Sequence, residues 1–247
     1  MKYMGNKSRI RNEIIPILLK GSKGNETFID AFCGSCSIVE EIPASYKRIA
    51  NDKNRYLINM FIELQKNGTD SLPFKITRNF YKEIREDYHK MEKERGICDM
   101  RHSALIGWVG FMGSFNGRFF DGGYSGHDVK GRDYIKENIN NTIKTIPKIQ
   151  GVKFTCLDFR NIDVPENSIV YCDPPYKGTK QYSTSKNFDH DSFWMWVRKV
   201  SRKAKVFVSE YSAPEDFECI WEKQITNAMS IKNTYKPTEK LFVFKGV

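Results

Sequence analysis

The sequence of 247 residues predicts an α/β fold, a doubly wound and mostly parallel sheet with a mainly helical insertion. Three observations predict it. Short apolar runs alternate with amphipathic stretches near both ends of the chain, the pattern of strand-crossover-strand units. Two of those runs end in an acid followed by small or rigid residues, Asp30-Ala31-Phe32-Cys33-Gly34-Ser35 and Asp173-Pro174-Pro175-Tyr176. Between residues 70 and 150 the alternation stops, and eight of the 17 glycines fall from Gly107 to Gly131.

Residues 8–20 set Ile10, Ile14, Ile15, Ile17, Leu18 and Leu19 behind a Ser8 cap, which predicts a helix running through Pro16 and ended by Gly21. A short strand at 27–32 leads into a small-residue turn and a turn of helix at Ile38 and Val39. A second strand, 48–52, and an amphipathic helix, 56–64, repeat the unit. Helices are then expected at 79–94 and 101–113, around a glycine-rich region that carries Trp108, Phe111, Phe115, Asn116, Arg118, Phe119, Phe120 and Tyr124. Glycine interleaved with aromatic and polar groups reads as mobile loops displaying those groups, so 67–150 is expected to be an inserted binding lobe. The two flanking parts, 1–66 and 151–247, then form one α/β domain. Strands at 153–157, 168–172 and 205–209, a helix at 192–201, and strand candidates at 218–225 and 240–245 complete it.

Hydrophobic residues at 40% and aromatics at 13% exceed what a disordered chain carries. The 40 Lys and Arg against 30 acids leave a net charge of +10, which favours a polyanionic partner, nucleic acid first and an anionic membrane second. No apolar stretch of 18 residues occurs, and Met1-Lys2-Tyr3-Met4-Gly5-Asn6-Lys7 does not open a signal peptide, so the expectation is a cytoplasmic protein without a membrane span. Of six cysteines only Cys33 and Cys36 have C-x-x-C spacing, and His89, His102, His127 and His190 show no ligand spacing. Free thiols and no metal are expected, and zinc base-deaminase chemistry is excluded.

The chemistry concentrates at strand ends, where ligands bind in open parallel sheets. Two prolines after Asp173 fix the backbone and remove two N–H donors. The Asp173 carboxylate and the Pro174 carbonyl thus become rigid acceptors beside the aromatic Tyr176, a site suited to an amino group with two hydrogens to donate. The amino nitrogen of adenine is such a group, with a lone pair delocalised into the ring that two acceptors can draw toward nucleophilic geometry. Tyr176 is placed to stack on a base taken out of its duplex. Gly34 after the first strand allows close backbone approach to a ligand, and Asp52, 22 positions after Asp30, ends the next strand where an acid can bind ribose hydroxyls. Each segment also has a plain structural reading: a proline-ended strand, a tight turn, a surface aspartate.

Together these segments resemble the Dam-type DNA adenine methylases of bacteria and their phages, in which the cofactor motif precedes the recognition region and D-P-P-Y follows it. The resemblance implies a Rossmann-like S-adenosylmethionine-dependent methyltransferase fold, acting as a monomer on double-stranded DNA by base flipping. It assigns Tyr3 and Lys7 to the cofactor, with Lys7 pairing with the methionine carboxylate. It puts Asp30, Phe32 and Gly34 in the cofactor loop, Asp52 at the ribose, and Asp158 and Phe159 at the adenine end. Asp173 stands at the boundary of cofactor and target base, with Pro174, Pro175 and Tyr176 completing the catalytic segment. The family's loop often has a second glycine where this chain has Cys36. Phe115-Asn116-Gly117 is similar to a tripeptide of the family's recognition hairpin, with Arg118 standing in for a later arginine, which makes Asn116 and Arg118 the DNA-reading candidates. The family's common target is GATC. Methyl transfer to the 4-amino group of cytosine, to RNA or to a glutamine amide remains open, as does a catalytically silent DNA-binding protein of the same fold.

Overall fold

The computed structural model describes residues 1–94, 99–127, 131–178, 187–225 and 238–246. Among the described residues seven strands form a single sheet: β1 (Thr27–Asp30), β2 (Lys47–Asn51), β3 (Lys153–Thr155), β4 (Ile169–Cys172), β5 (Lys205–Glu210), β6 (Phe217–Gln224) and β7 (Thr238–Phe244). Their spatial order is β3-β2-β1-β4-β5-β7-β6. The first five pair in parallel, whereas β7 runs antiparallel to both β5 and β6. The expected doubly wound, mostly parallel sheet is therefore present. Its strand order reverses between β1 and β4, which opens a crevice at their carboxyl ends.

Alternate residues of each central strand enter two different cores. Phe28, Ala50, Ile169, Tyr171 and Phe207 face one layer, and Ile29, Ala31, Val170, Cys172, Val206 and Val208 face the other. Burial on both faces explains why these strands read as continuous apolar runs rather than as alternation. The helices are α1 (Arg11–Leu18), α2 (Arg55–Asn67), α3 (Arg78–Glu94), α4 (Met100–Gly113), α5 (Tyr134–Ile143) and α6 (His190–Ser201). The apolar faces of α1 to α5 join the first layer, while Phe193, Trp196, Val197 and Val200 of α6 cover the second.

Two local expectations change. The turn of helix after β1 is only a 3-10 turn, Val39–Glu41, because Pro43 forces Ile42 into extended backbone and stops it. The glycine-rich segment also does not display its aromatic rings in mobile loops. Trp108, Phe111, Phe119 and Phe120 are buried in the layer that α2 and α4 share, and among the large apolar groups there only Phe115 is clearly exposed, at 51%. The physical reason is volume: a Cβ on Gly110 would lie 2.5 Å from Phe119 Cε2 and 2.9 Å from Phe120 Cε2. Glycine in α4 makes room for rings, so its clustering signals tight packing here rather than mobility.

Candidate active site

Acids from several strand ends meet at the crevice. Asp30 ends β1 with its side chain buried and Oδ1 without a hydrogen-bond partner among the described residues. Burial, reinforced by Asp173 and Asp52, pushes its carboxyl well above the usual range. Asp52 follows β2. Its Oδ2 accepts the Gly34 N–H at 3.2 Å and its Oδ1 the Asn54 N–H at 2.9 Å, which ties the loop after β1 to the start of α2. Asn51 adds a second tie, donating to the carbonyls of Ala31 and Leu157 at 3.1 and 3.0 Å.

Within the loop, Gly34 adopts a φ of +45°, and a Cβ there would lie 2.8 Å from Tyr3 Cε1. The close approach that the sequence reserves for a ligand is made to the Tyr3 ring. Cys36 has a φ of +62°, a left-handed backbone that glycine adopts more readily, here taken with a thiol side chain. The five described cysteines, Cys33 and Cys36 among them, are all free thiols.

Asp173 follows β4, with Pro174 buried and Pro175 half-buried behind it. Burial raises its carboxyl to about 6, although the Lys7 ammonium opposes the shift. Lys7 opens a 3-10 turn capped by Asn6 and is itself buried. Its Nζ lies 2.9 Å from Asp173 Oδ1 and 3.7 Å from a Glu239 carboxylate oxygen, and it donates to the Gly5 carbonyl at 3.2 Å. Burial disfavours this ammonium, but the two acids more than compensate and raise its pKa. Tyr176 is buried too. Its hydroxyl donates to Glu239 Oε2 at 2.6 Å, the Lys7 ammonium sits 4.7 Å from its ring centre, and Tyr211 meets it edge-on at 4.6 Å.

Glu210, the last residue of β5, accepts the Lys177 N–H at 3.0 Å and the Tyr211 N–H at 2.7 Å. It thereby clamps the residue that follows Tyr176, and burial lifts its carboxyl to about 7. Sequence reading passed over both Glu210 and Glu239. The first carried a usable signal, an acid closing an apolar strand just as Asp173 does.

The remaining candidates lie in different surroundings. Both oxygens of Asp158 are engaged by Arg160, at 2.7 and 2.9 Å, with Lys53 at 3.2 Å, and the Arg160 bonds hold its carboxyl well below the usual range. Phe159 is buried among Phe32, Phe188, Phe193 and Trp196, with the Phe32 ring 6.0 Å away. Asn116 takes a φ of +55° and borders a cavity of about 200 Å³ with Lys2, Phe115, Ser125 and Asn138. Arg118 lines a smaller hollow with Tyr3, Asn54 and Phe111, and its Nε is buried without a hydrogen-bond partner among the described residues. Hence Arg118 faces the N-terminal arm and the start of α2. Lys2 fastens that arm by donating its N–H to Asn138 Oδ1 at 2.6 Å.

Among the described residues, no group of three or more His, Cys, Asp or Glu is placed to hold a metal ion, and no helix is long and apolar enough to cross a membrane. The crevice instead gathers Asp30, Asp52, Asp173, Glu210 and Glu239, of which Asp173 and Glu239 pair with the Lys7 ammonium. That charge balance, with one Asp30 oxygen left unpartnered, fits a cationic ligand that also brings hydroxyl donors.

The fold is that of a doubly wound α/β protein, with acids after β1 and β2 and an Asp-Pro-Pro-Tyr segment after β4 at the carboxyl ends of the strands, where such sheets bind ligands. The chain belongs to the D12 class N6 adenine-specific DNA methyltransferase family, whose model matches residues 3–236. It is 25% identical to the type II methyltransferase M.FokI of Planomicrobium okeanokoites, over 80% of this chain but only 31% of that protein. It is 26% identical to the type II methyltransferase M.MjaIII of Methanocaldococcus jannaschii, over 78% of this chain and 74% of that one. The chain thus spans less than a third of M.FokI and about three quarters of M.MjaIII. Solved structures with some likeness include a proposed methylase of Haemophilus influenzae, with a TM-score of 0.37 at 9% identity, covering 96% of this chain and 98% of that one. A proposed methyltransferase solved with SAH gives a TM-score of 0.38 at 12% identity, covering 98% and 53%.

Proposed function

We propose that this chain transfers a methyl group from S-adenosylmethionine to the exocyclic 6-amino group of adenine in double-stranded DNA, at a specific site and with the base flipped out. The observation that carries the proposal is the Asp173 carboxylate, held at the crevice by Lys7 with Tyr176 beside it. When bound, S-adenosylmethionine would supply a sulfonium methyl group that the amino nitrogen attacks in line, with the sulfur leaving as a neutral thioether and the extra amino proton passing to solvent.

The chain's own residues do the rest. Asp173 offers negative charge to the sulfonium side, Asp30 offers a buried oxygen without a hydrogen-bond partner among the described residues, and Asp52 offers an acceptor for ribose hydroxyls. Tyr3, Phe32 and Gly34 wall the loop, with Asp158 and Phe159 at its far end. Since Lys7 already serves Asp173 and Glu239, it holds the acceptor in place at least as much as it would meet the methionine carboxylate. Asp173 and the Pro174 carbonyl take hydrogen bonds from the adenine amino group and localise its lone pair. Above about pH 6 Asp173 is the carboxylate that this role needs. Tyr176 stacks on the extruded base.

In this reading residues 67–150 form the target-recognition lobe, from which Asn116 and Arg118 approach DNA, and 1–66 with 151–247 form the catalytic part. The net charge of +10 supports phosphate contacts. The two type II relatives support a restriction-modification context, GATC is the first target to try, and the expected state is a cytoplasmic monomer. Incubation with duplex DNA and cofactor, followed by mass spectrometry of the nucleosides, should show N6-methyladenine. Finding 4-methylcytosine alone, or no methylated nucleoside across varied duplexes, would overturn the proposal.

A further inference from the structure

Glu239 occupies an unusual place for a strand residue. Because β7 runs antiparallel to β5, with Lys240 opposite Glu210, the first residues of β7 reach the edge where β4 and β5 end. The Glu239 side chain is 8% exposed. Its Oε2 takes the Tyr176 hydroxyl at 2.6 Å and stands 3.7 Å from Lys7 Nζ, which in turn contacts Asp173 at 2.9 Å. One carboxylate therefore touches both groups that flank Asp173. Burying a third acid beside Asp173 and Glu210 opposes folding, and an apolar side chain would fill the same space without that cost. We infer that Glu239 is a positioning residue for the target-base pocket: it fixes the Tyr176 ring through the hydroxyl, and it shares Lys7 so that Asp173 keeps its acceptor capacity. The inference rests on the adenine methyltransferase reading above.

Two variants separate the two halves of the role. Glu239→Gln keeps an oxygen for the Tyr176 hydroxyl but removes the charge, whereas Glu239→Ala removes both. Asp173 is faced by Lys7 from the N-terminal turn, Asp30 of β1, Tyr171 of β4, Tyr176, Glu210 of β5, Glu239 of β7 and Tyr3. Within that set Glu239 raises the Asp173 carboxyl, so removing its charge lowers it.

The experiment uses the full chain and duplex DNA carrying 2-aminopurine at the adenine found to be methylated. It follows stopped-flow fluorescence together with the pH dependence of single-turnover transfer on the unmodified duplex. Glu239→Ala should lose roughly 10- to 100-fold in transfer, the range expected when a reacting group is misplaced. Its fluorescence trace should change as that of Tyr176→Ala does, while Glu239→Gln keeps the wild-type trace. In both variants the acid limb of the pH profile should move to lower pH. Wild-type traces in both variants with an unmoved acid limb would overturn the inference and leave the methyltransferase reading intact. An equal loss in both variants with the acid limb unmoved would reduce Glu239 to a structural role. A wild-type protein that methylates no adenine would overturn the reading itself, and the inference with it.

Discussion

The crevice at the strand ends and the aromatic cluster beneath α2 and α4 lie in the same molecule and are built on opposite principles. In the cluster, Phe119 lies 4.8 Å from both Phe111 and Phe120, 5.0 Å from Tyr88 and 5.7 Å from Tyr56, all rings with little exposure. Every contact there favours folding, through area removed from water and ring-on-ring geometry. The crevice instead buries acids that would be more stable in water and holds them with the Lys7 ammonium, a tyrosine hydroxyl and backbone N–H donors that include those of Gly34, Asn54, Lys177 and Tyr211. The difference teaches that the first region is built for rigidity and the second to keep polar acceptors at a strand-end crevice. A preorganised acceptor is costly to bury, and a well-packed neighbour keeps it in place.

Damage to each region should therefore read out differently. The largest effect on stability is expected from Phe119→Ala, about 3–5 kcal/mol, as for other large buried aromatics cut to alanine. Chemical denaturation would measure it, and a loss under about 1 kcal/mol would mean that the cluster packs loosely. Next comes Asp52→Ala, which should weaken binding of S-adenosylmethionine by about 1–3 kcal/mol, the size of a lost charged hydrogen bond, and should also lower the melting temperature because the Gly34 and Asn54 N–H groups lose their acceptor. Calorimetry showing wild-type affinity would remove Asp52 from the cofactor site.

The smallest effect is a matter of pH. Asp173 and Glu210 are raised on folding to about 6 and about 7, mainly by burial. A raised carboxyl favours the folded state fully below the ordinary carboxylate range, near about pH 4, and this contribution is lost as pH rises through the folded values. The protein should thus melt at a higher temperature at pH 5 than at pH 8, and Glu210→Gln should shrink that difference. Phe119→Ala should lower both melting temperatures about equally. If Glu210→Gln leaves the pH dependence unchanged, Glu210 is not the buried acid described here.

Much of the crevice was legible in the sequence because its residues follow a simple rule. Asp30, Asp52 and Asp173 each close an apolar run, and in a parallel sheet such ends fall on one edge. Glu239 broke the rule. It stands at the start of its strand, and only the antiparallel insertion of β7 beside β5 brings it to the same edge, which no local pattern announces. The aromatic cluster was misread for a related reason. Glycine near Trp108 and Phe119 signals either an open loop or a close contact, and the choice depends on what packs opposite, here Phe119 and Phe120 against Gly110. Arg118 stands beside the Tyr3 arm and the start of α2, a placement that its chain position does not announce.

The central claim is that the Asp173 carboxylate, and not merely the shape of its segment, acts on the amino group. Asp173→Asn tests it most directly, since it keeps the size of the side chain and one acceptor oxygen but removes the charge. Single-turnover transfer to duplex DNA should fall by about 10²–10³ or more, as when a preorganised polar group is lost from a reacting centre. Binding of DNA, measured on the same sample by fluorescence anisotropy, should stay within a few-fold of wild type. Transfer at the wild-type rate by Asp173→Asn, with adenine still the product base, would contradict the account.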